Sequence, residues 1–289
     1  MGFRNIWVFD SNNERTQYLC KTYKLHAGTF EQCAAADVVI VGIPPGKKFE
    51  LLYSLIAPGK TIICEKPFVH HAGEAQQLIN KATLAGCTLL VAHIRRLFGG
   101  IQLARQHLMN KNYGTLLKAE IFEGNRFSYK TQSNYISTNP FGGVLLDTGS
   151  HALDAFLFVS NMASVNEFQL RIMQSDHDKN EPSHEVKYRF KLNDTEVFIH
   201  LSRYDALSNK MNLYFEKAVI EVPLLLKPSI RVTPVLGQRQ VLTSGKYLNY
   251  MSEAFRLQLY YMLFKKDKQL FDARSFLNLS GILQQLYNA

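Results

Sequence analysis

Three short stretches of this chain hold residues whose types and spacing could do chemistry. The first ends at Asp10, which closes the apolar run Ile6-Trp7-Val8-Phe9. An acidic residue at the carboxyl end of a parallel strand can accept hydrogen bonds from both hydroxyls of a ribose. An aspartate followed by Ser-Asn-Asn can equally serve as a plain helix cap. The second is Glu65-Lys66-Pro67, directly after the apolar run Thr61 to Cys64. Open α/β sheets hold ligands at such strand ends, and the proline stops the strand and stiffens the turn. A lysine ammonium there can hydrogen-bond a hydroxyl or carbonyl and stabilise charge on that oxygen as a hydride leaves or arrives. The plain alternative is a loop lysine with a packed stem and a solvated head. The third is Gly142 to Asp154, GGVLLDTGSHALD. If it is helical from about Leu145, Asp147 and His151 stand at i and i+4 with Asp154 one turn beyond. A histidine beside carboxylates can take and return a proton near neutral pH, which oxidation of an alcohol to a ketone requires. The plain alternative is a helix start whose aspartates suit the dipole and whose histidine is a bonded core group.

The elements that must position these residues change character along the chain. Up to residue 96, short apolar runs alternate with helical patterns, the rhythm of parallel strands joined by crossover helices. Strands are expected at Ile6–Phe9, Val38–Ile43, Thr61–Cys64 and Thr88–Ala92, with helices at Glu14–Tyr23 and about Gly73–Ala85. After about residue 100 one helix, Ile101–Met109, precedes alternating strands rich in tyrosine and phenylalanine. Val186, Tyr188, Phe190 and Leu192 alternate with charged residues, and Val197, Ile199 and Leu201 resume the pattern beyond Asn193-Asp194, a hairpin signal. Further strands are expected within Met211–Val222 and Ser229–Leu242, and closing helices at Ser252–Lys265 and Arg274–Tyr287.

Composition narrows the function classes. The chain has 289 residues, 46% apolar and 20% charged, enough for two medium domains. No apolar run is long enough to cross a bilayer, and the start, MGFRN, lacks the pattern of a secretory leader. The four cysteines, Cys20, Cys33, Cys64 and Cys87, form no metal-type pair, so reduced packing residues of a cytoplasmic protein are expected and no metal site. A net charge of +9 favours phosphate-bearing ligands, but the cations are scattered without any basic block, which argues against nucleic acid as a partner.

Together, Glu65-Lys66-Pro67, the pair Arg95-Arg96 after the next strand, and the G-G-x-L-x-D-x-G-x-H-x-x-D run from Gly142 to Asp154 resemble the glucose-fructose oxidoreductase, inositol dehydrogenase and rhizopine-catabolism family, Gfo/Idh/MocA. Tyr214 to Val222, YFEKAVIEV, is similar to that family's strand-turn-strand in its second domain. The resemblance implies an α/β fold: a Rossmann domain over residues 1–97, then an α+β domain over 98–289 whose large, open, mainly antiparallel sheet makes homo-oligomer contacts. It implies NAD(P)-dependent hydride transfer on a sugar-like small molecule. By motif position Lys66, Asp147 and His151 would be the catalytic set. Asp10, Pro44, Pro45, Lys48 and Glu65 would join Lys66 around the cofactor, and Arg95, Arg96 and Tyr135 would join Asp147 and His151 around the substrate. Asp10 favours NAD, because a 2′-phosphate would meet a like charge there. Lys48 stands where the family usually has histidine. No G-x-G-x-x-G occurs, and the chain opens at what corresponds to the family's second strand. In the strand order 3-2-1-4-5-6 the strand without a counterpart is central, so the Rossmann sheet is expected to be incomplete: closed differently, completed by a borrowed strand, or shortened. A non-catalytic or cofactor-deficient relative acting as a binding or assembly partner is the alternative to an enzyme.

Overall fold

The computed structural model describes residues 5–126, 139–162, 165–175, 182–245 and 248–289. Its first half contains two parallel pieces of sheet. Strands β1 (Trp7–Val8) and β2 (His26–Ala27) pair with each other, and β3 (Val38–Val41), β4 (Thr61–Glu65) and β5 (Thr88–Ala92) form a separate sheet in the order β3-β4-β5. The interruption falls between β1 and β3, where the sequence offers no central strand. One face of β3 is left open in consequence: Val38 and Ile40 are 39% and 59% exposed, although parallel strands are normally covered on both faces. The central strand β4 and its neighbour β5 keep that character, with Ile62, Ile63, Cys64, Leu89, Leu90 and Val91 buried.

The crossover helices begin and end on local chemistry. Helix α1 (Asn13–Tyr23) starts where the Asn12 side chain accepts from the Arg15 N–H, and ends at Lys24 in the left-handed conformation. Helix α2 (Phe30–Ala35) starts on a capping box between Thr29 and Gln32. Helices α3 (Lys48–Leu55) and α4 (Ala72–Ala85) follow β3 and β4, and Gly86, with φ +64°, ends α4 in a conformation that favours glycine.

After α5 (Gly99–Asn110) comes an eight-stranded sheet of strands β6 (Leu116–Gly124), β7 (Phe168–Ser175), β8 (Glu185–Leu192), β9 (Thr195–Ser202), β10 (Lys210–Phe215), β11 (Ala218–Pro223), β12 (Ser229–Pro234) and β13 (Gln240–Thr243), in the order β13-β12-β11-β10-β6-β9-β8-β7. Every neighbouring pair is antiparallel except β6 with β9. The β8–β9 hairpin turns at Asn193, whose φ is +51°, as the Asn-Asp signal predicts. Alternation sets the faces. Val186, Tyr188, Phe190 and Leu192 lie inward with Val197, Ile199 and Leu201, while the intervening Lys187, Arg189 and Lys191 are at least partly exposed. The inward face is covered by helices α5 and α6 (Ser150–Ser160), and α7 (Met251–Phe264) and α8 (Leu277–Tyr287) close the chain. Helix α6 is buried along most of its length, so any ionisable group on it must find a partner inside the protein. Among the described residues no helix is long and apolar enough to cross a membrane.

Candidate active site

The end of β4 and the start of α6 meet through Lys66 and Asp147, residues 81 positions apart. The Lys66 ammonium donates to Asp147 Oδ1 at 2.5 Å and to the Asp147 carbonyl at 3.1 Å. Arg203, just past β9, donates to Asp147 Oδ2 at 3.2 Å and to the Gly142 carbonyl at 2.8 Å. Burial alone would raise the Asp147 carboxyl; the two cations outweigh it and hold the group below the usual carboxylate range. Asp147 is therefore an anion fixed between two cations, and its remaining exposure, 38% of the side chain, faces open space.

The sequence predicts an ordinary helix from Leu145. The structure has a wider π-helical turn at Leu145–Gly149 before the α-helix proper begins at Ser150. Such turns are frequent at functional sites because they re-aim side chains. Here Asp147 is turned to Lys66 and Arg203, while His151 has no hydrogen bond to either motif aspartate. The motif glycines serve close packing: a Cβ on Gly149 would come within 2.8 Å of Leu201 Cδ1, and one on Gly143 within 2.9 Å of the Ser183 backbone nitrogen. His151 is pushed well below the ordinary histidine range by burial first, then by Lys66, Arg95 and His93. It is a neutral imidazole at physiological pH.

The two arginines after β5 have different surroundings from those the family resemblance suggests. Arg96 is buried and spans Asp154 on α6, with its Nη2 2.6 Å from Asp154 Oδ1, and it also reaches the Leu270 carbonyl and Ser275 Oγ at 2.9 Å. It is a strut between the parallel sheet, α6 and the chain's last segment. Arg95 forms a fork with the Glu123 carboxylate. Lys48, expected around the nicotinamide, points inward instead. It is fully buried and donates at 2.6 Å to the carbonyls of Glu65 and Pro67, bracketing the Lys66-Pro67 turn. Pro45 is buried and Pro44 exposed. Asp10 is not the helix cap, which is Asn12; its carboxylate accepts from the Asn12 N–H at 2.8 Å and lies 3.4 Å from Arg15 Nη1. The Glu65 carboxylate accepts from the Lys66 N–H at 3.2 Å. Tyr135 lies outside the described residues.

Burial pulls the Lys48 ammonium down to about 8. Between that value and the ordinary 10.5, the unfolded chain holds a proton that the folded one lacks, so this lysine makes stability rise as pH rises from about 8 towards 10.5. Lys48→Met is expected to remove that rise. At neutral pH it should cost about 1–3 kcal/mol, because two carbonyls at a buried turn lose their donor. Urea unfolding of both proteins at pH 7 and at about pH 9.5 checks this, and an unchanged pH slope would place the titration elsewhere.

Sequence reasoning missed Arg203, Glu123 and His93. A histidine directly after a buried parallel strand, as His93 follows β5, is the one signal that was readable. A cleft of about 1610 Å³ is a separate feature lined by Arg96, Arg105, Phe158, Leu248, Tyr261 and Arg274 among others, and not by Lys66, Asp147 or His151. Its arginines are committed, Arg96 to Asp154, Arg274 to Asp272 and Arg105 to the Phe158 carbonyl.

Residues 3–93 match the model of the Gfo/Idh/MocA family, described as an oxidoreductase family with an NAD-binding Rossmann fold. About the first third of the chain therefore matches the Gfo/Idh/MocA oxidoreductases. An uncharacterized oxidoreductase of Schizosaccharomyces pombe is 30% identical over 119 residues, 41% of this chain and 32% of that protein. The chain thus matches about a third of that curated relative's length. The family architecture extends over the whole chain in solved structures. UDP-N-acetylglucosamine 3-dehydrogenase from Acidithiobacillus ferrooxidans superposes with a TM-score of 0.77 at 18% identity, covering 99% of this chain and 88% of that one. An Agrobacterium radiobacter oxidoreductase solved with NAD+, L-tartaric acid and magnesium gives 0.80 at 15% identity, covering 98% and 87%. At such identities the likeness establishes the Gfo/Idh/MocA fold, a Rossmann-like parallel part followed by a large open sheet, and leaves the reaction to the residues themselves.

Proposed function

We propose that this chain, as a Gfo/Idh/MocA oxidoreductase, transfers a hydride between a nicotinamide cofactor and a hydroxyl or carbonyl carbon of a sugar or sugar derivative. The observation that carries the reading is the Lys66–Asp147 ion pair beside His151 at the carboxyl end of a buried parallel strand. Two pieces of the cofactor's surroundings fit. Asp10 is partly exposed just past β1, and its carboxylate keeps lone pairs for ribose hydroxyls beyond its contacts with the Asn12 N–H and Arg15. Gly42, at the end of β3, faces open space beside exposed Pro44. Among the described residues no glycine-rich helix start offers a pyrophosphate cradle.

A bound nicotinamide would supply the hydride chemistry at its C4. Everything else falls to side chains. In the oxidation direction His151, neutral and partly exposed, takes the hydroxyl proton, while Lys66 donates to the same oxygen and stabilises its growing negative charge. Asp147, pinned by Arg203, holds the Lys66 ammonium in place. That the Acidithiobacillus relative in fold acts on a nucleotide sugar supports the substrate class.

Fluorescence titration with NADH and NADPH tests the reading. Micromolar binding is expected, tighter for NADH because Asp10 opposes a 2′-phosphate, followed by turnover in a screen of sugars and sugar derivatives. Absence of binding at millimolar cofactor would overturn it. The interruption of the parallel sheet between β1 and β3 favours what would then remain, a cofactor-deficient relative that acts as a binding or assembly partner.

A further inference from the structure

One buried imidazole stands behind the candidate site without any assigned role. His93 follows β5 directly, is 0% exposed, and stacks on Phe276 with ring centroids 4.6 Å apart. Its Nδ1 lies 3.4 Å from Asp154 Oδ2, and its ring meets that of His151 edge-on, with 5.8 Å between centroids. Among the described residues neither nitrogen of His93 has a hydrogen-bond partner, and His151 Nδ1 is likewise enclosed and unpartnered. Three buried polar nitrogens left unpaired would be destabilising. One arrangement of protons answers all three after a small side-chain rotation. His93 Nδ1–H donates to Asp154, and the lone pair of His93 Nε2 accepts from His151 Nδ1–H.

We propose that His93, tied to Asp154, is a positioning residue that fixes His151 as its Nδ1–H tautomer and so leaves the His151 Nε2 lone pair free to take a proton. The proposal rests on the reading of His151 as the base, and supplies what that reading lacks, since a base needs a third group to orient it. Asp147 is turned the other way, to Lys66 and Arg203, and makes no hydrogen bond to His151. The arrangement needs a neutral His93 with one lone pair. Burial holds this imidazole down at about 4, against the pull of Asp154 and assisted by Arg96, Lys66 and Arg95. The charged and titratable groups facing the pair are therefore Asp154, Arg96, Lys66 and Arg95, with each histidine facing the other.

Nitrogen-15 NMR of the histidine side chains in the full-length protein reads the tautomer directly, without cofactor or substrate. In the wild type, His151 should be the Nδ1–H form. His93→Phe keeps the stack on Phe276 but removes both nitrogens, and should shift His151 towards the Nε2–H form. His93→Gln, whose amide can donate to Asp154 and accept from His151, should restore the Nδ1–H form and guards against misfolding of the phenylalanine variant. In turnover, His93→Phe should lower kcat at least about tenfold with little change in KM, and His93→Gln should recover part of the loss. A His151 that is Nε2–H in the wild type, or unmoved by His93→Phe, overturns the proposal even if activity falls. An inactive protein with the expected tautomers would instead overturn only the hydride-transfer reading.

Discussion

Replacing His151 with asparagine is expected to lower turnover of a sugar-like alcohol by about 10²–10⁴-fold while the melting temperature stays close to that of the wild type. Asparagine keeps the size and polarity of the imidazole but cannot accept and return a proton. The pH profile separates this from a packing effect. Burial, Lys66, Arg95 and His93 all disfavour the imidazolium, so the unprotonated base persists well below pH 6.5, and kcat/KM for oxidation should stay level through the range where an ordinary histidine would shut it off. Lys66→Met gives the complementary result. It removes the donor to the reacting oxygen and should cost a comparable factor. It also takes away a neighbouring positive charge, so the acid limb of the remaining activity should move up towards the ordinary histidine range. A large rate loss in Lys66→Met with an unmoved acid limb would show that the limb belongs to another group.

How far this site could be read from the sequence depends on the kind of information each residue carries. Lys66 sits in a turn closed by proline after a strand with the apolar centre Ile62-Ile63-Cys64, so its place at the sheet's carboxyl edge follows from local pattern alone. The pairing of Lys66 with Asp147 does not, because it depends on how α6 packs against the end of β4, and no periodicity encodes that contact. Lys48 shows the opposite failure. A lysine on a loop near a ligand edge reads as solvent-facing, yet its stem runs inward and its ammonium satisfies two carbonyls of the Lys66-Pro67 turn. The fold of the second half was legible because strict alternation fixes a strand's buried face, as in Val186 to Leu192. The partners of buried charges were not, since Arg96 finds Asp154, Leu270 and Ser275 across 58 to 179 residues.

That last network carries the largest expected stability effect. Asp154→Leu should destabilise the protein by about 3–5 kcal/mol, because it leaves the buried Arg96 guanidinium without its counter-charge. Both groups are almost fully enclosed, Asp154 at 1% and Arg96 at 4% exposure, and the helix that carries Asp154 is buried along most of its length. The double variant Arg96→Met with Asp154→Leu should recover most of the loss, since a buried pair replaced by apolar groups of similar volume is often nearly neutral. Urea unfolding of the two single variants and the double one gives the coupling directly as a double-mutant cycle. The cleft of about 1610 Å³ supplies the competing outcome, because Arg96 forms part of its wall. If water from that cleft can solvate the guanidinium once Asp154 is gone, the single variant should cost no more than about 1 kcal/mol, as for an exposed pair. A large loss that the double variant repairs would establish Arg96 as the buried strut joining β5, α6 and the C-terminal segment. It would also separate the two arginines by role, since Arg95 is tied to Glu123 instead.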